Sequence, residues 1–139
     1  MIIIQCVDNR NGTFFNRRRQ SQDRLLRSRI LSELHDRRLW MNAYSLRQFQ
    51  KELPLEVRLS VDEDFLTKAG IGEVCFVEGL PLLPWLDRIE QVILYRWNRD
   101  YPADTYLDLA LDAPPWSLAA REDFPGFSHP MLTKEVYIP

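Results

Sequence analysis

Asp23 heads the short set of side chains able to do chemistry. It lies two residues beyond Ser21 and just ahead of Leu26, Ile30 and Leu34, an apolar series recurring every four residues. That spacing puts Asp23 in the first turn of an amphipathic helix. In a semi-buried cleft, desolvation raises a carboxyl pKa, and such an acid can relay a proton or hydrogen-bond a heterocycle. The plainer role is an aspartate paired with Arg19 or Arg27. Arg17, Arg18 and Arg19 form the densest charge cluster. They suit three settings: a phosphate or carboxylate ligand neutralised by Arg18, a solvated loop, or nucleic acid.

Other polar groups fall at the ends of apolar runs. Tyr95-Arg96-Trp97-Asn98-Arg99 interleaves Arg with aromatics at a strand end, where open α/β sheets place ligands. Tyr95 is therefore a candidate stacking contact, although core packing by Trp97 with surface Arg96 and Arg99 is the plainer reading. Asn42, Tyr44 and Ser45 end another run and can line the same crevice. Glu78 follows the apolar run Val74 to Val77, either as a cleft carboxylate or as the partner of an Arg. His129 lies in Gly126-Phe127-Ser128-His129-Pro130, which reads as a hairpin turn with ligand contact the lesser alternative, and Asp104 with Thr105 pins a loop. No Walker loop, nucleophile elbow, Cys-x-x-Cys or Ser-His-Asp order stands out.

The elements positioning these residues are legible in the hydrophobic pattern. Met1 to Val7 is an opening strand, ended by turn chemistry at Asp8 to Gly12. Phe14 to Gln20 reads as a connector, and Ser21 as a helix cap. Leu39 to Ala43 is a second strand. Ser45-Leu46-Arg47-Gln48 is a capping-box pattern opening a short helix before Pro54. Strands follow at Val57 to Val61, Val74 to Val77 and Val92 to Trp97, with short helices at Asp62 to Ala69 and Pro84 to Ile89. Tyr106 to Leu109 adds a short strand, and Leu118 to Arg121 with Thr133 to Ile138 closes the chain as an antiparallel pair. The expected fold is a three-layer α/β sandwich: a mostly parallel sheet with a C-terminal antiparallel hairpin, one domain over residues 1–139.

Composition narrows the function classes. The 139 residues are 45% hydrophobic and 27% charged, which is globular. No apolar run approaches a membrane span, and no secretion signal is present, so a cytoplasmic protein is expected. Two histidines and two cysteines leave no metal site, and Cys6 and Cys75 read as buried free thiols. The net charge of −2 hides an asymmetry. Residues 1–58 carry twelve Lys/Arg and six Asp/Glu, or +6; residues 59–139 carry six and fourteen, or −8. Either the front half offers an anion-binding face, or the two halves complement each other.

The order of elements resembles dihydrofolate reductase. Val7-Asp8 to Gly12 matches its opening strand and turn, and Asp23 stands where its pteridine-binding carboxylate stands. Ser60-Val61-Asp62-Glu63, Val74 to Gly79, Asp104-Thr105-Tyr106 and Trp116 match later segments. The resemblance implies the fold, NADPH as cofactor and a flat heterocyclic ligand. It also exposes departures. The family's Gly-Arg-x-Thr phosphate turn is Asn42-Ala43-Tyr44-Ser45 here, leaving only helix N–H groups for an anion. Its Gly-Gly pair is Glu78-Gly79, so a carboxylate stands near the cofactor pyrophosphate. Arg18 replaces a Trp. These departures argue against classical folate reduction.

The segments Arg17 to Ser21, Leu39 to Ser45 and Leu94 to Arg99 are also similar to a group of small bacterial proteins, some labelled ribonuclease Z. That label needs a His-rich cluster for two zinc ions, which His35 and His129 cannot build. Two functions remain. One is a reductase-like protein binding a small anionic or heterocyclic ligand, with Asp23 as acid and Arg18, Asn42, Tyr44, Ser45, Glu78, Gly79 and Tyr95 as contacts. The other is a domain binding nucleic acid or protein through the Arg-rich front half.

Overall fold

Ile2 and Ile4 belong to one hydrophobic cluster, while Met1, Ile3 and Val7 belong to another. A strand with side chains alternating between two cores must be buried on both faces. That strand is β1 (Ile2–Val7), and it lies near the middle of a seven-stranded sheet in the computed structural model, which describes residues 1–139. The sheet order is β5 (Leu59–Val61), β4 (Leu39–Met41), β6 (Val74–Phe76), β1, β7 (Gln91–Arg96), β10 (Leu132–Ile138), β9 (Ser117–Phe124). Pairings among the first five are parallel, and β10 runs antiparallel to both β7 and β9.

Helices cover both faces. On one, α1 (Arg24–Ser32) and α2 (Ala43–Phe49) supply Leu26, Ile30 and Phe49 to the cluster that includes Ile2, Ile4 and Phe76. On the other, α3 (Phe65–Lys68) supplies Phe65 and Leu66, joined by Leu82 and Ile89 around a 3-10 turn (Leu83–Arg88). This is the expected three-layer α/β sandwich with its C-terminal antiparallel pair.

Three local expectations are corrected. Asp23, not Ser21, is the N-cap of α1, because its carboxylate accepts the Leu26 N–H. Asn42, not Ser45, caps α2; its side-chain oxygen accepts the Ser45 N–H at 3.0 Å, leaving Ser45 buried inside the helix. Asn42→Ala is expected to cost about 1 kcal/mol, the ordinary worth of such a cap, read from a urea midpoint. The segment read as a connector is a β-hairpin, β2 (Gly12–Phe15) and β3 (Arg18–Arg19), with β8 (Thr105–Tyr106) beside β2. Its two-residue loop, Asn16-Arg17, has positive φ at both positions, as a hairpin turn of matching twist requires. The Asp104 carboxylate accepts the Asn16 N–H and fixes that loop.

Part of the charge asymmetry is offset inside the molecule. Arg19 pairs with Glu78, Arg29 with Glu122, Arg38 with Glu73, and the Met1 amino group with Glu90. Each joins the basic front half to the acidic back half. Three of the twelve front-half cations, with the Met1 amino group, are thereby engaged across the two halves. No helix is long and apolar enough to cross a membrane.

Candidate functional site

The C-terminal ends of β1, β4 and β6 open toward the β2–β3 hairpin, at the position where open parallel sheets bind ligands. Glu78 follows β6 there. Its carboxylate receives two hydrogen bonds from Arg19, from Nε at 2.8 Å and Nη2 at 3.0 Å. The Ser45 hydroxyl donates a third at 2.9 Å. Both roles foreseen for Glu78 therefore coincide in one residue. The Arg19 guanidinium also lies 4.3 Å above the Tyr44 ring, and its backbone N–H donates to the Tyr44 hydroxyl. Tyr44 in turn meets Phe14 edge-on at 5.6 Å. Phe14 lies directly over Gly79, where an added Cβ would come within 2.5 Å of the ring. One continuous contact set thus runs through Gly79, Phe14, Tyr44, Arg19, Glu78 and Ser45, with Asn42 capping the helix behind it.

Beside this set a crevice runs between α1 and the sheet, reaching Cys6, Gln20, Ser21, Leu26 and Trp97. Its volume is about 20 Å³, room for about one water. Arg19 and Gln20 also line an outer groove of about 290 Å³ with Arg18 and Tyr101. Arg18 is exposed on this groove, so a ligand there meets a free guanidinium. Gln20 is informative. Its amide nitrogen points at two acceptors, Asp8 Oδ2 at 3.0 Å and the Pro102 carbonyl at 3.4 Å, which fixes the orientation of the amide. Its carbonyl oxygen is buried without any partner.

Two residues named from the sequence stand apart. Tyr95 is 1% exposed and packs against Phe124 in the core on the α1 side of the sheet, and it does not line the crevice. Asp23 lies along the crevice, but its carboxylate turns onto the loop between β9 and β10. It accepts the N–H groups of Leu26, Phe127 and Ser128, the Ser128 hydroxyl, and His129 Nδ1 at 2.9 Å. Burial alone would raise its pKa. The donors from Phe127, His129, Ser128 and Leu26 outweigh that and hold it well below the usual carboxylate range. The expected rise is therefore reversed, and the partner is His129, not Arg19 or Arg27. Burial also pushes the Cys6 thiol far above its ordinary value, with Glu78 reinforcing and Arg19 opposing.

From the sequence, Gln20 and Tyr101 carry no role, Ser21 reads as a helix cap, and His129 reads as a hairpin-turn residue with ligand contact the lesser alternative. Ser21 Oγ and the Tyr101 hydroxyl approach His129 Nε2 at 3.0 and 3.2 Å. The imidazole stacks on Trp97 with ring centres 4.8 Å apart. Gly126 was the one available signal: a Cβ there would lie 2.7 Å from Asp23 Oδ2.

No family model matches the sequence, and no curated protein matches it. Solved structures do. A dihydrofolate reductase from Enterococcus faecalis, complexed with NADP(H) and RAB-propyl, superposes with a TM-score of 0.64 at 7% identity. The match covers 99% of this chain and 94% of that one. The fold is that of dihydrofolate reductase.

Within that fold the cofactor NADPH meets poor complements in this chain. The two segments that would hold its phosphates are Asn42 to Ser45 and Glu78-Gly79. At the first, the Ala43 N–H is already bonded to Glu63 Oε2 at 3.0 Å and the Ser45 N–H to Asn42. Two of the helix N–H groups expected to be free for an anion are thus occupied, one by a carboxylate. At the second, the Glu78 carboxylate is in place and Phe14 covers the glycine backbone. Two carboxylates and an aromatic lid do not fit a pyrophosphate.

Proposed function

We propose that this chain uses the reductase fold to bind a small, flat heterocycle carrying an acidic group, without NADPH. The ligand lies in the outer groove and reaches toward the crevice. Arg18 neutralises its acid, and Tyr101 offers a ring to stack on. The observation that carries this reading is the Gln20 carbonyl oxygen, a buried acceptor held in position and left without a donor. Such a group is costly unless something donates to it, and a heterocyclic N–H is that kind of donor. Arg19 and Glu78 set the inner limit of the site, since both are already matched to each other.

A reductase fold reused for nucleic acid is the weaker reading. Arg19, Arg27, Arg29 and Arg38 are each engaged with a carboxylate, so these four offer no free charge to a phosphate backbone.

Thermal-shift titration tests the proposal, with dihydrofolate as the flat anionic probe, NADPH, and a mixed single-stranded oligonucleotide. Dihydrofolate is expected to raise the midpoint saturably, by an amount growing with the logarithm of its excess over Kd. NADPH and the oligonucleotide are expected to leave it unmoved. Arg18→Ala and Gln20→Leu should each weaken the response at least about tenfold in apparent Kd, the worth of one charge-assisted or buried hydrogen bond. A saturable shift with NADPH, or none with dihydrofolate, would overturn this reading.

A further inference from the structure

We infer that Ser21, His129 and Asp23 form a serine acyl-transfer relay at the half-buried rim of the crevice, and that the chain hydrolyses small esters that meet Ser21 from the solvent side, since the crevice itself admits only about one water. Ser21 Oγ lies 3.0 Å from His129 Nε2, and His129 Nδ1 lies 2.9 Å from Asp23 Oδ2. This is the order nucleophile, base, orienting carboxylate, and such relays are recognised by geometry and not by sequence order. The surroundings fit the three roles. Asp23 is 2% exposed and is fixed by the N–H groups of Phe127 and Ser128 and by the Ser128 hydroxyl. A carboxylate so held sets the neutral imidazole with its proton on Nδ1, leaving Nε2 to accept from a hydroxyl. Trp97 stacks on the imidazole and holds its plane. Ser21 is only half-buried and lines the crevice together with Arg19. Arg19 Nε and Nη2 are bonded to Glu78 and Tyr44, whereas Nη1 has no acceptor in the protein.

The reaction balances without any added cofactor. Ser21 Oγ attacks the ester carbonyl carbon, and its proton passes to His129 Nε2. Charge develops on the carbonyl oxygen, and Arg19, which lines the same crevice with Nη1 unbonded, is the cation on that side to balance it. The carbon–oxygen bond to the alcohol breaks, and His129 returns the proton to the departing alkoxide. Water then attacks the acyl-Ser21 carbonyl, its proton again passing through Nε2, and the acid leaves with Ser21 restored. His129 and Ser21 touch the reacting atoms; Asp23 and Trp97 position the base. The Tyr101 hydroxyl shares Nε2 at the longer distance, so it competes with Ser21 at rest.

This inference deepens the binding proposal by assigning a reaction to the same crevice, and its test is separable from that proposal. The wild-type chain is incubated with an uncharged alkyl fluorophosphonate, which needs no anion site. Oγ–phosphorus bond formation expels fluoride and adds the phosphonyl mass once. Peptide mapping is expected to place the adduct on Ser21. Hydrolysis of p-nitrophenyl acetate is expected to cease with it. Ser21→Ala should abolish labelling, and His129→Gln should slow it by about 10³-fold or more. Ser32→Ala, on the exposed end of α1, should label as the wild type does. Because wild-type protein is the primary sample, misfolding of a variant cannot hide the answer. No adduct, or an adduct on Tyr101 or another serine, overturns the relay. Labelling at Ser21 with no dihydrofolate response would uphold the relay and sink the binding proposal alone.

Discussion

Asp23→Ala is expected to lower stability by about 4 kcal/mol, the largest single loss in this chain. The change removes the cap of α1, worth about 1 kcal/mol. It also strips the acceptor from the N–H groups of Phe127 and Ser128 and from the His129 ring. Buried donors left without acceptors cost roughly 1–3 kcal/mol each, and partial relaxation of the loop trims the sum. Asp23→Asn keeps one acceptor oxygen but aims an amide N–H2 at groups that are themselves donors, so a loss of about 2 kcal/mol is expected. Urea unfolding of both variants gives the comparison. A loss below about 1 kcal/mol for the alanine variant would show that the β9–β10 loop is held by something else. The same carboxylate makes the fold acid-sensitive. Its folded pKa is depressed, so its contribution is complete above the unfolded value of about 3.9 and is lost as pH falls toward the folded value. Stability should therefore decline below about pH 4, and that decline should shrink in Asp23→Asn.

Gly79→Ala is expected to cost about 3 kcal/mol and to shift the hairpin. Gly79 has φ of +70°, a region that costs a residue with a Cβ about 1–2 kcal/mol. The new Cβ would also stand 2.5 Å from two carbons of the Phe14 ring. Phe14 cannot simply swing aside, because its ring is wedged against Tyr44, which carries Arg19. The strain should therefore pass to the Arg19–Glu78 pair. A double-mutant cycle with Phe14→Ala separates the two causes. In the Phe14→Ala background the clash disappears and only the backbone cost remains, giving a coupling of about 1–2 kcal/mol. Strictly additive losses would mean that Phe14 does not rest on the glycine in solution.

The parallel core was readable because its strands are continuous apolar runs, such as Ile2 to Ile4 and Val74 to Val77, bounded by turn residues. Helix α1 was readable from Leu26 and Ile30, while Leu34, the third of that series, lies just past its end. The caps were misplaced by two and three residues for one reason. Ser21 and Asp23, or Asn42 and Ser45, are all competent caps, and only tertiary contacts choose between them. Asp23 is chosen by the loop at Phe127 and Ser128, and Ser45 is drawn inward by Glu78. The hairpin was hidden because Arg17 occupies a left-handed position that a glycine would ordinarily announce. Within the candidate site, Glu78, Gly79, Tyr44 and Ser45 were legible as neighbours because they end strands or open a helix. The pairing of His129 with Asp23 escaped because the two lie 106 residues apart, a distance over which no spacing rule operates.

The division of charge between the two halves also bears on how fast the chain can fold. Strand β1 must pair with β6 and β7, bringing Ile2 beside Val74 and Gln91. Such closures are slow because the loop entropy is lost before the contacts form. Before any strand has paired, a segment of +6 and a segment of −8 already attract each other. At about 0.01 M salt the Debye length is about 30 Å, long enough to draw the halves together in a loose chain; at about 1 M it is about 3 Å and the pull is gone. Collapse of this protein is thereby tied to ionic strength, and the arginines that later lock onto Glu73, Glu78 and Glu122 first act as its guide.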